Sequence, residues 1–202
     1  MKVFIDLFSG LGGAARAFDE DPSWTTIKID NNPELVPLNR GLILMDLAQV
    51  DAVLHALTLM LQKIDDDQGI EKVVLWMSPP CNQFSHANRN RPEEPDLTLL
   101  DACVQYVHRL HSDYWLIENV HGAKPTFTDE IGRAPTQEIG PVVLWGHFPL
   151  IPIRTRDEWK HRKMEAKGSR TLRPNYRAII PYPISEGLRD AIDHQQTLNA
   201  YW

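Results

Sequence analysis

Lys72-Val73-Val74-Leu75-Trp76-Met77 runs directly into Ser78-Pro79-Pro80-Cys81, and this stretch decides how the rest of the chain is read. The first part is almost continuously apolar and rich in β-branched and aromatic residues. That pattern predicts a strand covered on both faces, as in the middle of a parallel sheet. Two consecutive prolines have no N–H to give to a ladder, so the strand must stop at Ser78. Cys81 is thereby placed on a stiff segment at the carboxyl end of a central strand. Open α/β sheets bind their ligands at that edge.

The same grammar recurs on either side. Lys2–Leu7 predicts a buried first strand, entering the cluster Asp6-Leu7-Phe8-Ser9-Gly10-Leu11-Gly12-Gly13, with a helix starting over Ala14 to Phe18. Thr25–Ile29 predicts a second strand ending at Asp30-Asn31-Asn32-Pro33, and Gly41–Asp46 a weaker third. Val53, Leu54, Leu57, Met60, Leu61 and Ile64 fall on one helical face over Val50 to Ile64, with Asp65-Asp66-Asp67 and Gly69 as the stop. Beyond the cysteine, residues 86–96 read as a polar exposed loop, Leu97 to Leu110 as a helix, and Tyr114–Ile117 as a strand ending at Glu118-Asn119.

Strands alternating with helices predict a doubly wound, Rossmann-like, mostly parallel α/β fold. After residue 122 the pattern weakens into a small irregular C-terminal extension. Val142–Trp145 is a candidate strand there, and Ile184 to Ile192 a closing helix. With no repeat, low-complexity tract or linker, one domain is expected over 1–202. It divides into a core at 1–125, an extension at 126–177 and a closing segment at 178–202.

Composition narrows the class. The chain has 202 residues, 43% of them hydrophobic, with no apolar run of membrane-spanning length. Its opening, MKVFIDLFSG, is interrupted by acidic and glycine residues and does not read as a signal peptide. Two cysteines are too few for a disulfide scaffold, and no Cys/His spacing suggests a metal site. A reducing cytoplasm is the expected setting. The net charge of −6 is unevenly spread: residues 154–177 hold nine Lys+Arg against three Asp+Glu, on an otherwise acidic body. That distribution suits either a polyanion contact or an ordinary solvated segment.

Each candidate group also has a plain structural reading. The glycine cluster lacks the G-x-G-x-x-G spacing and the P-loop lysine, so alone it fits a packing turn as well as a ligand loop. Asp30 suits ribose hydroxyls and Asp46 an adenine amino group, yet either could be a turn-capping Asp. Cys81 is either an inert buried thiol or a nucleophile whose pKa is lowered by its neighbours. Cys103, inside an amphipathic helix beside Leu99, Leu100 and Val107, belongs to the core. Glu118, closing the next strand, is expected near Cys81 across one crevice, or else in a cap or ion pair.

Taken in order, DLFSGLGG, SPPCNQFS and ENV resemble the signature of the cytosine-5 DNA methyltransferases, over roughly residues 1–125. Arg177-Ala178-Ile179-Ile180-Pro181 is a fainter match to that family's closing segment. The resemblance implies an S-adenosylmethionine pocket formed by Phe8, Ser9, Gly10, Gly12, Gly13, Asp30, Asn31, Asp46 and Pro79. It implies Cys81 as nucleophile and Glu118 as the residue gripping the cytosine edge, with Asn119, Val120 and Ser85 supporting the substrate. The loop 86–96 would close over a flipped base.

The match has departures. Asn82 stands where the family usually carries Gln. The family's Gln-x-Arg-x-Arg strand has its nearest counterpart in Ile153-Arg154-Thr155-Arg156, placing Arg154 and Arg156 near base or phosphate. Arg170 and Arg173, with Trp159 and Tyr176, would belong to a reduced DNA-contact element. So short a recognition region resembles compact phage- or mobile-element-encoded members. Double-stranded DNA is the expected substrate, with a partner chain or second copy as a source of target recognition. RNA cytosine or a pyrimidine nucleotide is the alternative substrate, and a catalytically silent binding module the alternative class.

Overall fold

Seven short β-prone runs form one sheet in the computed structural model, which describes residues 1–153 and 172–195. The strands are β1 (Lys2–Leu7), β2 (Trp24–Asp30), β3 (Leu42–Leu44), β4 (Lys72–Met77), β5 (Tyr114–Val120), β6 (Gln137–Ile139) and β7 (Val142–His147). Their spatial order is β3-β2-β1-β4-β5-β7-β6. The first five run parallel, and β7 is antiparallel to both of its neighbours.

The period-2 pleat sorts the side chains into two cores. On one face Ile5, Leu75, Met77, Ile117 and Trp145 pack under α2 (Val50–Gln68), α3 (Thr98–Arg109) and α4 (Lys124–Ile131). On the other, Phe4, Trp76, Leu116 and Leu144 meet Phe18 of α1 (Arg16–Asp19) and Ile184, Leu188 and Ile192 of the closing helix. That helix is α6 (Tyr182–Asp193), and α5 (Arg173–Ala178) precedes it. Helices therefore cover both faces, as a doubly wound sheet requires. No helix among the described residues is long and apolar enough to cross a membrane.

Polar groups tie α6 to the first turn of the fold. Ser185, 1% exposed, donates its hydroxyl to the Ala14 carbonyl at 2.6 Å and accepts the Ala17 N–H at 3.0 Å. Gly13 lets the segment before α6 come close: a Cβ there would stand 2.7 Å from both the N and O of Ile180. The Gly13 position thus serves packing, whatever else the glycine cluster does.

Several elements differ from the sequence reading. β5 runs on to Val120, so Glu118 and Asn119 lie within a strand. The reason is non-local: β7 pairs with β5 as far as Val120↔Val142, whereas β4 stops pairing at Met77↔Ile117. α2 continues through the acidic run to Gln68 and ends at Gly69, whose φ is 69°. The run is tolerated there because the Asp65 side chain accepts the Ile70 N–H at 2.6 Å beyond the helix end. α1 is only four residues long. The candidate strand at Val142–Trp145 is β7, and the stretch from 126 also contributes most of α4 and the short β6. The last five residues of the basic segment, 173–177, lie in α5.

Replacing Ser185 with Ala strands a buried carbonyl and a buried N–H, a loss of about 1–3 kcal/mol. Urea unfolding should show it as a lower midpoint with an unchanged slope.

Candidate active site

β1 and β4 lie side by side, with Leu7 opposite Met77, so the glycine turn and the Pro-Pro-Cys segment leave the sheet at the same level. The Ser78 N–H still donates to the Leu7 carbonyl at 3.2 Å before the chains part. In the turn Phe8, Gly10 and Gly12 all have left-handed backbone, with φ of 60°, 55° and 75°. Ser9 N–H reaches the Ile29 carbonyl at 3.1 Å, and Gly10 N–H reaches Asp30 Oδ2 at 2.9 Å. Asp30 Oδ1 accepts the Asn32 N–H at 3.0 Å. A carboxylate has about four acceptor positions, so Asp30 retains capacity for hydroxyl donors.

The residues present suit S-adenosylmethionine. Nothing lies within 4 Å of a Cβ built on Gly10, which leaves room over the turn. Half-buried Phe8, half-buried Asp30 and exposed Asn31 and Asp46 follow the ends of three adjacent strands. Asp46 sits two residues past β3 and not at its end, with Oδ1 accepting the Ala48 N–H at 3.0 Å. A cavity of about 610 Å³ opens beside the turn and includes Gly12, Gly13, Arg40 and Tyr182. It does not extend to Phe8, Asp30 or Cys81.

Below the turn, Asp6 is buried, and its carboxyl is pushed up to about 7 by that burial. The Ser9 hydroxyl bond and the Lys28 charge oppose the shift, and the charges of Asp30 and Asp19 add to it. Lys28 is itself buried and paired with Asp19 at 2.6 Å.

Cys81 begins a tight turn in which Phe84 N–H and Ser85 N–H both reach its carbonyl, at 3.0 and 2.9 Å. Phe84 packs edge-on against Phe127, with ring centroids 5.2 Å apart, anchoring the segment to the core. Gly122 is required opposite it, because a Cβ there would fall 2.0 Å from the Phe84 carbonyl oxygen. Gln83 Oε1 accepts the Asp96 N–H at 2.7 Å and so closes the base of the 84–95 loop. Within that loop Arg91 meets His86 at 2.9 Å.

Glu118 stands on β5, the neighbour of β4, and its charge acts on the Cys81 thiol. Burial pushes that thiol up, and Glu118 pushes it further in the same direction. Of the two readings open for Cys81 in the sequence, a thiol lowered by its neighbours is not the one these surroundings favour. Asn119, fully buried, joins the two strands by donating to the Pro79 carbonyl at 2.9 Å, while its Oδ1 accepts the Val120 N–H. Cys103 is buried in the core, and burial pushes its thiol up as well.

The structure thus gathers Phe8 to Gly13, Asp30, Asn31, Asp46, Pro79, Cys81, Ser85, Glu118 and Asn119 along one edge of the sheet. Arg154, Arg156 and Arg170 lie outside the described residues, as does Trp159. Arg173 is exposed at the start of α5. One buried residue in this region escaped the sequence reading. Asn39, 4% exposed, donates through Nδ2 to Ser9 Oγ and to the Gly10 carbonyl, each at 3.1 Å. In sequence it is one polar residue in a loop, with nothing to mark it.

Comparison with known proteins gives one family. The family model for C-5 cytosine-specific DNA methylase matches residues 2–130. Among solved structures, the Entamoeba histolytica methyltransferase EhMeth aligns at 14% identity and a TM-score of 0.49, covering 77% of this chain and 56% of that one. A DNMT2 variant from Spodoptera frugiperda aligns at 18% identity and a TM-score of 0.42, covering 78% and 54%. The chain thus spans just over half the length of these two proteins. No curated protein matches it.

Two measurements check the electrostatics. Folded Asp6 keeps its proton up to about pH 7, while the unfolded chain releases it near 3.8, so its contribution to stability is lost as pH rises between those values. Asp6→Asn keeps an acceptor for Ser9 and should flatten the stability profile over that window; parallel profiles would contradict the assignment. Cys81 should alkylate slowly at neutral pH, and Glu118→Gln should speed iodoacetamide labelling a few-fold by removing the smaller of the two upward pushes. Mass mapping distinguishes Cys81 from Cys103.

Proposed function

The chain belongs to the C-5 cytosine-specific DNA methylase family, whose methyl donor is S-adenosylmethionine, and on that premise we propose that it methylates carbon 5 of cytosine in DNA through Cys81. The observation that carries this reading is the strand order, in which β4, leading to Cys81, lies between β1 with its glycine turn and β5 with Glu118.

The chemistry asks for this pairing. Carbon 5 of cytosine is too poor a nucleophile to take a methyl group unaided. Addition of the Cys81 thiolate to carbon 6 turns the ring into an enamine that is reactive at carbon 5. Glu118, in its protonated form, donates to ring nitrogen 3 and offsets the charge that develops there. Glu118 in that form also no longer pushes the Cys81 thiol up. Substrate binding would therefore favour the thiolate when it is needed. When bound, S-adenosylmethionine supplies an electrophilic sulfonium methyl group. Loss of the carbon-5 proton to a base then expels the Cys81 thiolate and restores the aromatic ring.

Supporting roles follow from the contacts. Asn119 holds the Pro79 carbonyl, which keeps Cys81 and Glu118 in register. Phe84 and Gly122 fix the chain just ahead of the 86–96 loop, which would cover a base turned out of the helix. The basic residues of 154–177, Arg154, Arg156, Arg170 and Arg173 among them, would hold phosphates. Retention of both Cys81 and Glu118 argues against a silent binding module, since cofactor or DNA binding alone would need neither.

Purified protein incubated with tritiated S-adenosylmethionine should label duplex DNA, and Cys81→Ala should reduce the label at least about a thousandfold. Parallel incubations with RNA and with CMP decide the substrate. Label on RNA or CMP and none on DNA would overturn the DNA reading while keeping the chemistry. Equal labelling by Cys81→Ala would overturn the nucleophile.

A further inference from the structure

Three residues with left-handed backbone within five positions make the turn after β1 an improbable conformation for a chain to hold unaided. Phe8 is the costliest of them, because its Cβ crowds the backbone at φ 60°. Such a turn persists only where surrounding groups over-determine it. Four of the bonds that do so come from strand neighbours or from the turn itself: Ser9 N–H to Ile29, Gly10 N–H to Asp30, Gly12 N–H to the Ser9 carbonyl, and Ser9 hydroxyl to Asp6 at 2.7 Å. The remaining two come from Asn39, about thirty residues along the chain, on the connection between β2 and β3.

The donor and acceptor inventory fixes the direction of this network. Both hydrogens of the Asn39 amide are engaged, one by Ser9 Oγ and one by the Gly10 carbonyl. Ser9, accepting from Asn39, turns its own hydrogen to Asp6. Asn39 is held in turn by its backbone: its N–H donates to the Leu35 carbonyl at 2.8 Å and its carbonyl accepts the Leu42 N–H at 3.1 Å. Its amide lies flush against the turn, since a Cβ on Gly12 would come 2.9 Å from Asn39 Oδ1. No hydrogen of the side chain is left for a ligand.

We propose that Asn39 is a positioning residue for the methyl donor, setting the glycine turn through the two bonds its amide donates. The inference rests on the reading of that turn as the S-adenosylmethionine site. Asn39 belongs to the same connection that Asp30 opens, and Leu42 of β3 follows three residues later. One amide therefore couples the β2–β3 connection to the backbone of Ser9 and Gly10. Without its two donors, Ser9 and Gly10 lose the restraint that opposes relaxation of Phe8 toward ordinary backbone. Donor affinity then falls, while the Cys81–Glu118 pair on the other strands is untouched.

The test compares wild type, Asn39→Asp and Ser9→Ala in calorimetric binding of S-adenosylhomocysteine, with thermal unfolding of the ligand-free proteins alongside. Asn39→Asp keeps the shape and removes both donors. It should weaken binding about tenfold and raise the KM for the donor similarly, with kcat at saturating donor within about twofold of wild type. Ser9→Ala leaves Asn39 its bond to Gly10 and should weaken binding by less, about threefold. If Asn39→Asp does not fold, Asn39→Ala, which removes the same two donors and adds no charge, is measured in its place against the same outcomes. Unchanged affinity in the variants would overturn the proposal. So would losses of affinity that track losses in unfolding temperature across both, because a merely structural residue would behave that way. Failure of the wild type to bind S-adenosylhomocysteine would overturn the underlying reading of the turn instead.

Discussion

The parallel register of β1 against β4 is the constraint on which the rest of the site depends. Leu7 opposite Met77 brings the two strands to an end together, and the Ser78 N–H bond to Leu7 is the last shared rung. From that rung one chain turns back through left-handed residues and the other is driven straight out by Pro79 and Pro80. The divergence opens a crevice of the kind α/β sheets use for ligands. A slip of one residue would move Leu7 or Met77 to the opposite face, so two buried cores hold the register as firmly as the hydrogen bonds do.

Around that crevice the chain spends few residues for each task. β2 contributes Asp30, and the loop that follows contributes the Asn39 amide under the turn. β5 contributes Glu118, and its next residue, Asn119, bonds back to Pro79. α6 closes the far side through Ser185, bonded to both Ala14 and Ala17, so that the first turn and the last helix form one packed unit. Cys81 emerges from this frame with its thiol pushed up by burial and by Glu118.

Much of this was legible in the sequence because the decisive signals are local. The unbroken apolar run at 72–77, the prolines after it and the glycine cluster after β1 each announce a strand end without reference to anything distant. What stayed hidden depends on pairing across the chain. Glu118 and Asn119 read as a strand end because nothing near them announces β7, whose antiparallel rungs carry β5 on to Val120. The acidic run at 65–67 read as a helix stop because its charges oppose the helix dipole, yet Asp65 caps the chain just past Gly69. Asn39 was invisible for the same reason: a loop asparagine acquires meaning only once the fold buries it.

The central claim is that Cys81 forms a covalent bond to cytosine. Duplex DNA carrying 5-fluorocytosine in place of cytosine tests it most directly, because fluorine at carbon 5 cannot leave as a proton does and the adduct is trapped. With S-adenosylmethionine present, a complex stable to denaturation should form, and peptide mapping should place the DNA on Cys81. Trapping that persists in Cys81→Ala, or an adduct mapped to another residue, would contradict the account.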